Sequence, residues 1–104
     1  MTFKLEPNPT FRATAEISQP GEGAEPLRLP LIFRHMSRKQ YDAEIVEAKL
    51  SVDDAVRRLV VGWEVPGVEF TAERLDKLID DHAPASGEIF ATWLKESRES
   101  KRKN

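Results

Sequence analysis

Apolar and polar residues alternate along two stretches in the first third of the chain. Between Thr10 and Ser18 every second side chain is apolar, and the same alternation runs from Leu27 to Phe33. A period of two is that of a β-strand with one buried face. The segment between them, Gln19–Glu25, contains a proline and two glycines and predicts a loop. The pattern therefore predicts an antiparallel hairpin whose apolar face the rest of the chain must cover.

Prolines interrupt this β-type region at two places. Phe3 and Leu5 also occupy alternate positions, but the run Pro7-Asn8-Pro9 then breaks the chain. Pro30 lies inside the second alternating stretch. Because proline has no N–H to donate to a strand ladder, we expect an edge position or a bulge at Pro30.

Apolar residues recur at three- and four-residue spacing in the rest of the chain, which is the period of amphipathic helices. Helix starts are predicted at Ser37, which forms a capping box with Gln40, at Ser51, at Thr71 and near Pro84. The predicted apolar stripes are Tyr41, Ile45 and Ala48; Val52, Val56, Leu59, Val60 and Trp63; Leu75, Leu78 and Ile79; and Ala85, Ile89, Phe90, Trp93 and Leu94.

Strands followed by helices predict an α+β fold, with an N-terminal antiparallel β-hairpin packed against three or four C-terminal helices. The length of 104 residues is that of one domain with one modest core. We expect a single domain over residues 1–104, mainly β over 1–36 and mainly α over 37–98. Residues 99–104 are expected to be a frayed basic tail.

Composition narrows the classes of protein that fit. Charged residues make up 33% of the chain and the net charge is −2, so there is no positive excess that would indicate nucleic-acid binding. The chain has no cysteine, which excludes disulfides and thiolate metal sites. No signal-peptide pattern or membrane span is recognisable, so we expect a cytosolic protein with no membrane partner.

No catalytic constellation is recognisable in the sequence. His35 and His82 are the only two histidines, and neither stands in a metal-binding spacing. The acidic pair Asp53-Asp54 is explained by its place in the first turn of a helix. The helices around the Glu64–Phe70 connection are joined by too long a turn for a DNA-binding helix-turn-helix. The sequence predicts no enzyme activity, no metal, no cofactor and no DNA binding.

An apolar cluster in an irregular connection is the candidate binding site. Trp63, Val65, Val68 and Phe70 fall around Pro66-Gly67, where regular structure is predicted to end. Fewer core contacts are available there, so these side chains are candidates for a face that binds a partner or another copy of the chain. The alternative is that they fill the junction between the helices and the hairpin.

Five short blocks follow one another along nearly the whole chain. They are Phe3-Lys4-Leu5 with Pro9-Thr10-Phe11; Phe33 to Arg38; Val60 to Val65; Phe70 to Leu75; and Ala83-Pro84-Ala85 through Ile89 to Trp93-Leu94. The tryptophan followed by Phe-Thr-x-Glu-x-Leu at residues 70–75 is the most distinctive part. Together these blocks resemble the tail assembly chaperones of siphophages and related prophages, although each is a packing or capping pattern.

The resemblance implies a function in the cytoplasm of the bacterial host. Members of that family bind the long tape measure protein, keep it soluble during tail assembly and are not part of the mature virion. It also implies the major tail tube protein and a longer frameshift product of the same gene as further partners, and association into homo-oligomers. The alternative hypothesis is a small prophage-encoded regulator or inhibitor that binds a host protein; neighbouring genes would distinguish the two.

Overall fold

The computed structural model describes residues 8–98, which form a three-stranded sheet and four helices. The predicted alternation at Phe3 and Leu5 and the predicted basic tail at 99–104 lie outside the described residues. In chain order the elements are β1 (Thr10–Ile17), β2 (Leu27–Arg34), α1 (Arg38–Tyr41) with a π-helical turn at Asp42–Val46, α2 (Val52–Leu59), β3 (Val60–Trp63), α3 (Ala72–Asp81) and α4 (Ala85–Arg98). The α+β prediction is confirmed.

Strands β1 and β2 form the predicted hairpin. They pair antiparallel from Thr10 opposite Arg34 to Ile17 opposite Leu27. The alternating apolar residues of both strands point to one face, where Ile17, Leu31 and Phe33 are almost fully buried. The opposite face carries exposed threonine and arginine side chains. Burial on one face only is the reason for the period of two in the sequence.

A third strand stands where the sequence predicted the end of a helix. Helix α2 ends at Leu59, and Val60 to Trp63 form β3, which pairs antiparallel with β2. The prediction of one helical stripe through Val60 and Trp63 is therefore wrong. The β-branched pair Val60-Val61 favours extended backbone. Pairing with β2 also supplies the third strand that a hairpin needs for stability.

Strand β2 is the central strand, so the expected edge position of Pro30 is wrong. The irregularity in the ladder lies further along, between Ile32 and Phe33. The N–H of His35 donates to the carbonyl of Pro9, so these two residues form a hydrogen-bonded pair. Hydrogen-bonded and non-hydrogen-bonded pairs alternate along an antiparallel ladder. Counting along the register, Thr14 and Pro30 form a non-hydrogen-bonded pair, and the N side of Pro30 faces away from β1. On the other side the Pro30 carbonyl accepts from the N–H of Glu64, just beyond the end of β3. Pro30 therefore lacks its N–H at a position just beyond the end of β3, where the β2–β3 ladder has already ended.

Three of the four predicted helix starts are confirmed by side-chain hydrogen bonds, and the fourth helix, α4, begins at Ala85, next to Pro84. Ser37 and Gln40 cap α1 reciprocally, as a capping box requires. The Ser51 hydroxyl accepts from the N–H of Asp54, and the Thr71 hydroxyl accepts from that of Arg74. Each cap satisfies a backbone donor that the first helical turn leaves free.

Within residues 8–98 the helices cover one face of the sheet and enclose one cluster of buried side chains. Trp93 of α4 is fully buried, and its ring stacks on that of Tyr41 with centroids 5.4 Å apart. Its indole N–H donates to the carbonyl of Arg34 at 2.9 Å, which ties α4 to the end of β2. At the surface, Arg57 of α2 donates a hydrogen bond to Asp76 of α3, and this bond raises the pKa of Arg57.

Candidate partner-binding site

A tight turn follows β3 and shapes the candidate site. Val65 and Val68 form an antiparallel bridge, and the N–H of Val68 donates to the carbonyl of Val65 at 3.1 Å. Pro66 and Gly67 occupy the two central positions, and Gly67 has φ of +77°. Proline followed by a residue with positive φ is the sequence requirement of a type II turn. The turn is therefore specified locally by its own residues.

The two aromatic residues of the site hold this turn against the body of the protein. The indole N–H of Trp63 donates to the carbonyl of Val68 at 2.8 Å. The Trp63 ring meets the Phe70 ring edge to face, with centroids 5.0 Å apart, a geometry that aromatic pairs favour. Strand β3 and the start of α3 are thus joined through one aromatic pair and one hydrogen bond.

The structure brings the four predicted residues together but exposes them unequally. Trp63, Val65 and Phe70 are half-buried and pack against the core, so they fill the junction between helices and sheet. Val68 is 41% exposed at the tip of the turn. Three of the four side chains therefore have a packing role, and Val68 is the one whose surface faces solvent most.

A shallow depression runs along this connection. It is lined by residues 63 to 70. A second depression, which shares Glu64, Val65 and Pro66 with the first, extends onto the sheet as far as Thr14, Arg28 and Pro30. Both depressions are lined more by apolar than by polar surface, and exposed Glu64 lies where the two meet.

Charged groups of both signs surround this surface. Glu64 forms an exposed ion pair with Arg12 at 2.9 Å. Arg74 donates to the carbonyl of Glu69 at 2.6 Å, next to the turn. A surface that mixes apolar and charged groups in this way is typical of non-obligate protein interfaces.

One exposed apolar residue near the site was missed from the sequence. Val61 in β3 is 38% exposed, whereas Val60 beside it is buried. On the predicted helix, Val61 falls outside the apolar stripe. The signal that could have identified it is the pair of adjacent β-branched residues followed by glycine and tryptophan, which is typical of a strand.

Clustered metal ligands and membrane-spanning helices are two features that the described residues lack. Within residues 8–98 no three histidine or acidic side chains lie close enough together to hold a metal ion. His35 and His82 stand on separate segments, after β2 and at the end of α3 respectively. Across the same part of the chain, each helix is too short or too polar to span a lipid bilayer.

Comparison with known proteins identifies the family. No curated protein sequence and no solved structure gives a significant match to the chain. A family model described as phage tail assembly chaperone matches residues 1–104, which is the full length of the sequence. The match agrees with the resemblance seen in the sequence and favours a chaperone over a prophage-encoded regulator. The chain belongs to the phage tail assembly chaperone family.

Proposed function

We propose that this protein binds the tape measure protein of a long-tailed phage or prophage and keeps it soluble while the tail is assembled. The observation that carries the proposal is the family match over residues 1–104. In this proposal the protein acts in the cytoplasm of the bacterial host and is not part of the mature virion. The major tail tube protein and a longer frameshift product of the same gene are its proposed further partners.

The fold supports a binding function in which no bond is made or broken. A tape measure protein is a long amphipathic helical chain that exposes apolar surface before the tail tube encloses it. A chaperone for such a chain needs an apolar surface that accepts many similar segments, and helix-in-groove packing is the simplest way to provide it. In this proposal the depression beside Val65 and Val68 provides that surface.

The turn between β3 and α3 is the proposed binding face. Trp63 and Phe70 hold the turn from below, so Val68 is presented on a backbone that is already ordered. An ordered surface loses little conformational entropy on binding, which improves affinity for a given contact area. Val65 and Pro66 extend the apolar surface toward the sheet.

A pull-down with matched variants tests this face. The tape measure protein encoded beside the chaperone gene is co-expressed with the wild-type chain, with Val68→Asp and with Val52→Asp. Val52 is 44% exposed at the start of α2, so it matches Val68 in residue type and exposure. We expect Val68→Asp to reduce the recovered tape measure protein at least about tenfold, the effect of roughly 1.4 kcal/mol of binding free energy. Val52→Asp should bind as the wild type does.

Far-ultraviolet circular dichroism and thermal unfolding of the purified variants complete the experiment. If Val68→Asp stays folded and binds the tape measure protein as well as Val52→Asp does, the proposed face is wrong. If Val68→Asp unfolds, the milder Val68→Ser variant replaces it in the same comparison.

A further inference from the structure

A groove of about 340 Å³ separates the end of the hairpin from the connection between α3 and α4. One wall is residues 18–20, and the other is residues 81–84. Most of the lining surface is apolar, and Pro20 and Pro84 are exposed to solvent. The groove shares no lining residue with the depressions beside Val68, so it is a second surface, separate from the proposed tape measure face.

Both walls of the groove are held in place by hydrogen bonds. Glu88 of α4 accepts from the N–H of Ser18 at 2.8 Å and from its hydroxyl at 2.7 Å. The N–H of Ala85 donates to the carbonyl of His82 at 2.9 Å and closes the turn before α4. A proline ring also fixes the backbone φ in each wall. A groove that is already ordered loses little conformational entropy when it is filled.

The chain that forms and surrounds these walls is acidic. Residues 18–27 and 78–94 contain five acidic side chains and no lysine or arginine. The five are Glu22, Glu25, Asp80, Asp81 and Glu88. Of these, Asp81 has an ion pair, with Lys77 at 3.0 Å. Within residues 8–98 no lysine or arginine pairs with the other four, so the groove lies in a region of net negative charge.

This combination of shape and charge selects among ligands. The phosphate groups of nucleic acids and anionic lipids are repelled by carboxylates. A metal ion needs several converging ligands, and in the part of the chain that the structure describes no three acidic or histidine side chains provide them. A lysine or arginine side chain can pack its aliphatic stem on apolar surface while its charged head faces a carboxylate. The chemistry therefore favours a cationic peptide.

We propose that this groove docks a cationic segment of a partner protein, in which an aliphatic side chain stands between lysine or arginine residues. The aliphatic side chain packs between Pro20 and Pro84, beside Ala83. The flanking cations face Asp80 at the end of α3 and Glu22 in the hairpin loop. Because these carboxylates are exposed, salt screens the attraction, which mainly speeds and orients the encounter.

Nuclear magnetic resonance titration of the isotopically labelled chain tests the proposal with short synthetic peptides as probes. The probe is Lys-Arg-Leu-Leu-Arg-Lys, and a control peptide of the same charge carries serine in place of both leucines. A second control, Glu-Asp-Leu-Leu-Asp-Glu, keeps the leucines and reverses the charge. We expect the probe to bind with a Kd below about 1 mM and to shift the amide signals of Gln19, His82 and Ala83. Each control should bind at least about tenfold more weakly.

Two double variants of equal net charge test which carboxylates the probe meets. Glu22→Gln combined with Asp80→Asn removes two carboxylates beside the groove. The control, Glu47→Gln combined with Asp42→Asn, removes the same two groups around the π-helical turn that follows α1. All four residues are exposed, so both proteins should stay folded. We expect the first variant to raise the Kd for the probe at least about threefold and the control to bind as the wild type does.

A pair of tyrosine variants tests the groove itself without a change of charge. Ala83→Tyr places a ring in the space that the leucine side chains of the probe need. Ala48→Tyr places the same ring on another exposed alanine, in the segment before α2. We expect Ala83→Tyr to raise the Kd at least about tenfold and Ala48→Tyr to leave it unchanged. Far-ultraviolet circular dichroism checks that both variants are folded.

Several outcomes would overturn the proposal. They are no binding of the probe up to about 1 mM, equal binding of either control peptide, and shifted amides that lie away from residues 18–20 and 81–84. Self-association of the peptide-free chain that the Glu22→Gln, Asp80→Asn variant abolishes would assign the groove to a second copy, which also overturns it. The tape measure face is tested with variants at Val68, so either proposal can fail without the other.

Discussion

The two tryptophans provide a matched test of how the core is built, because the same substitution should have different effects at the two sites. Trp93 is fully buried, whereas Trp63 is half-buried beside the exposed turn. Each indole N–H donates to a backbone carbonyl, that of Arg34 at 2.9 Å and that of Val68 at 2.8 Å respectively. Substitution by phenylalanine removes the N–H and part of the ring at both positions.

The magnitude at Trp93 follows from burial. Loss of the hydrogen bond costs about 1 kcal/mol, and more where the carbonyl stays away from water. The smaller ring leaves a cavity, and the lost apolar contacts add roughly 1–2 kcal/mol. We therefore expect Trp93→Phe to lower the free energy of unfolding by about 2–3 kcal/mol. For a domain of this size that corresponds to a fall in Tm on the order of 10–20 °C.

The effect at Trp63 should be smaller because solvent can replace the lost partner. Water can hydrate the Val68 carbonyl at the exposed turn, and phenylalanine can keep most of the edge contact with Phe70. We expect Trp63→Phe to cost about 1 kcal/mol or less. Urea unfolding followed by circular dichroism at 222 nm measures both variants without relying on tryptophan fluorescence. Equal losses, or a larger loss at Trp63, would refute the reasoning.

Three further substitutions test local backbone chemistry, each measured by urea unfolding. Thr71→Ala removes the side-chain cap of α3 and should cost about 1 kcal/mol, while Thr71→Ser should restore most of it. Gly67→Ala places a β-carbon at φ of +77° and should cost about 1 kcal/mol or more. Lys49→Gly should act in the opposite direction, because Lys49 has φ of +57°, and a gain of roughly 0.5–1 kcal/mol is expected. A loss on Lys49→Gly would contradict this interpretation of its backbone.

The sequence predicts the elements whose signals are local. The hairpin follows from alternation, and the starts of α1, α2 and α3 follow from Ser37, Ser51 and Thr71, whose side chains bond backbone groups only three residues away. A contact between neighbours in sequence is independent of the rest of the fold. For this reason these predictions needed no knowledge of tertiary packing.

Strand β3 could not be predicted in the same way because its cause is distant in sequence. Val60 and Trp63 continue the helical spacing of Val56 and Leu59. Either a helix or a strand over this segment could therefore turn Val60 and Trp63 toward the core. The choice is decided by Leu31 to Phe33 of β2, which pair with β3 from roughly thirty residues earlier in the chain. Tertiary pairing here overrides the local period.

The candidate site shows the same division between local and distant information. The apolar residues of the Trp63–Phe70 connection are visible as a cluster in the sequence, and the Pro66-Gly67 pair predicts the turn. The hydrogen bond from Trp63 to Val68 and the exposure of Val61 both depend on β3, so a helical prediction for that segment misses them.

Solubility of the tape measure protein is the most direct test of the proposed function. The tape measure protein is expressed alone, with the wild-type chain, or with an unrelated small acidic protein, and the soluble fraction of each lysate is quantified. We expect soluble tape measure protein only in the presence of the wild-type chain, with the two proteins co-purifying. A tape measure protein that remains insoluble and unbound with this chain would contradict the account.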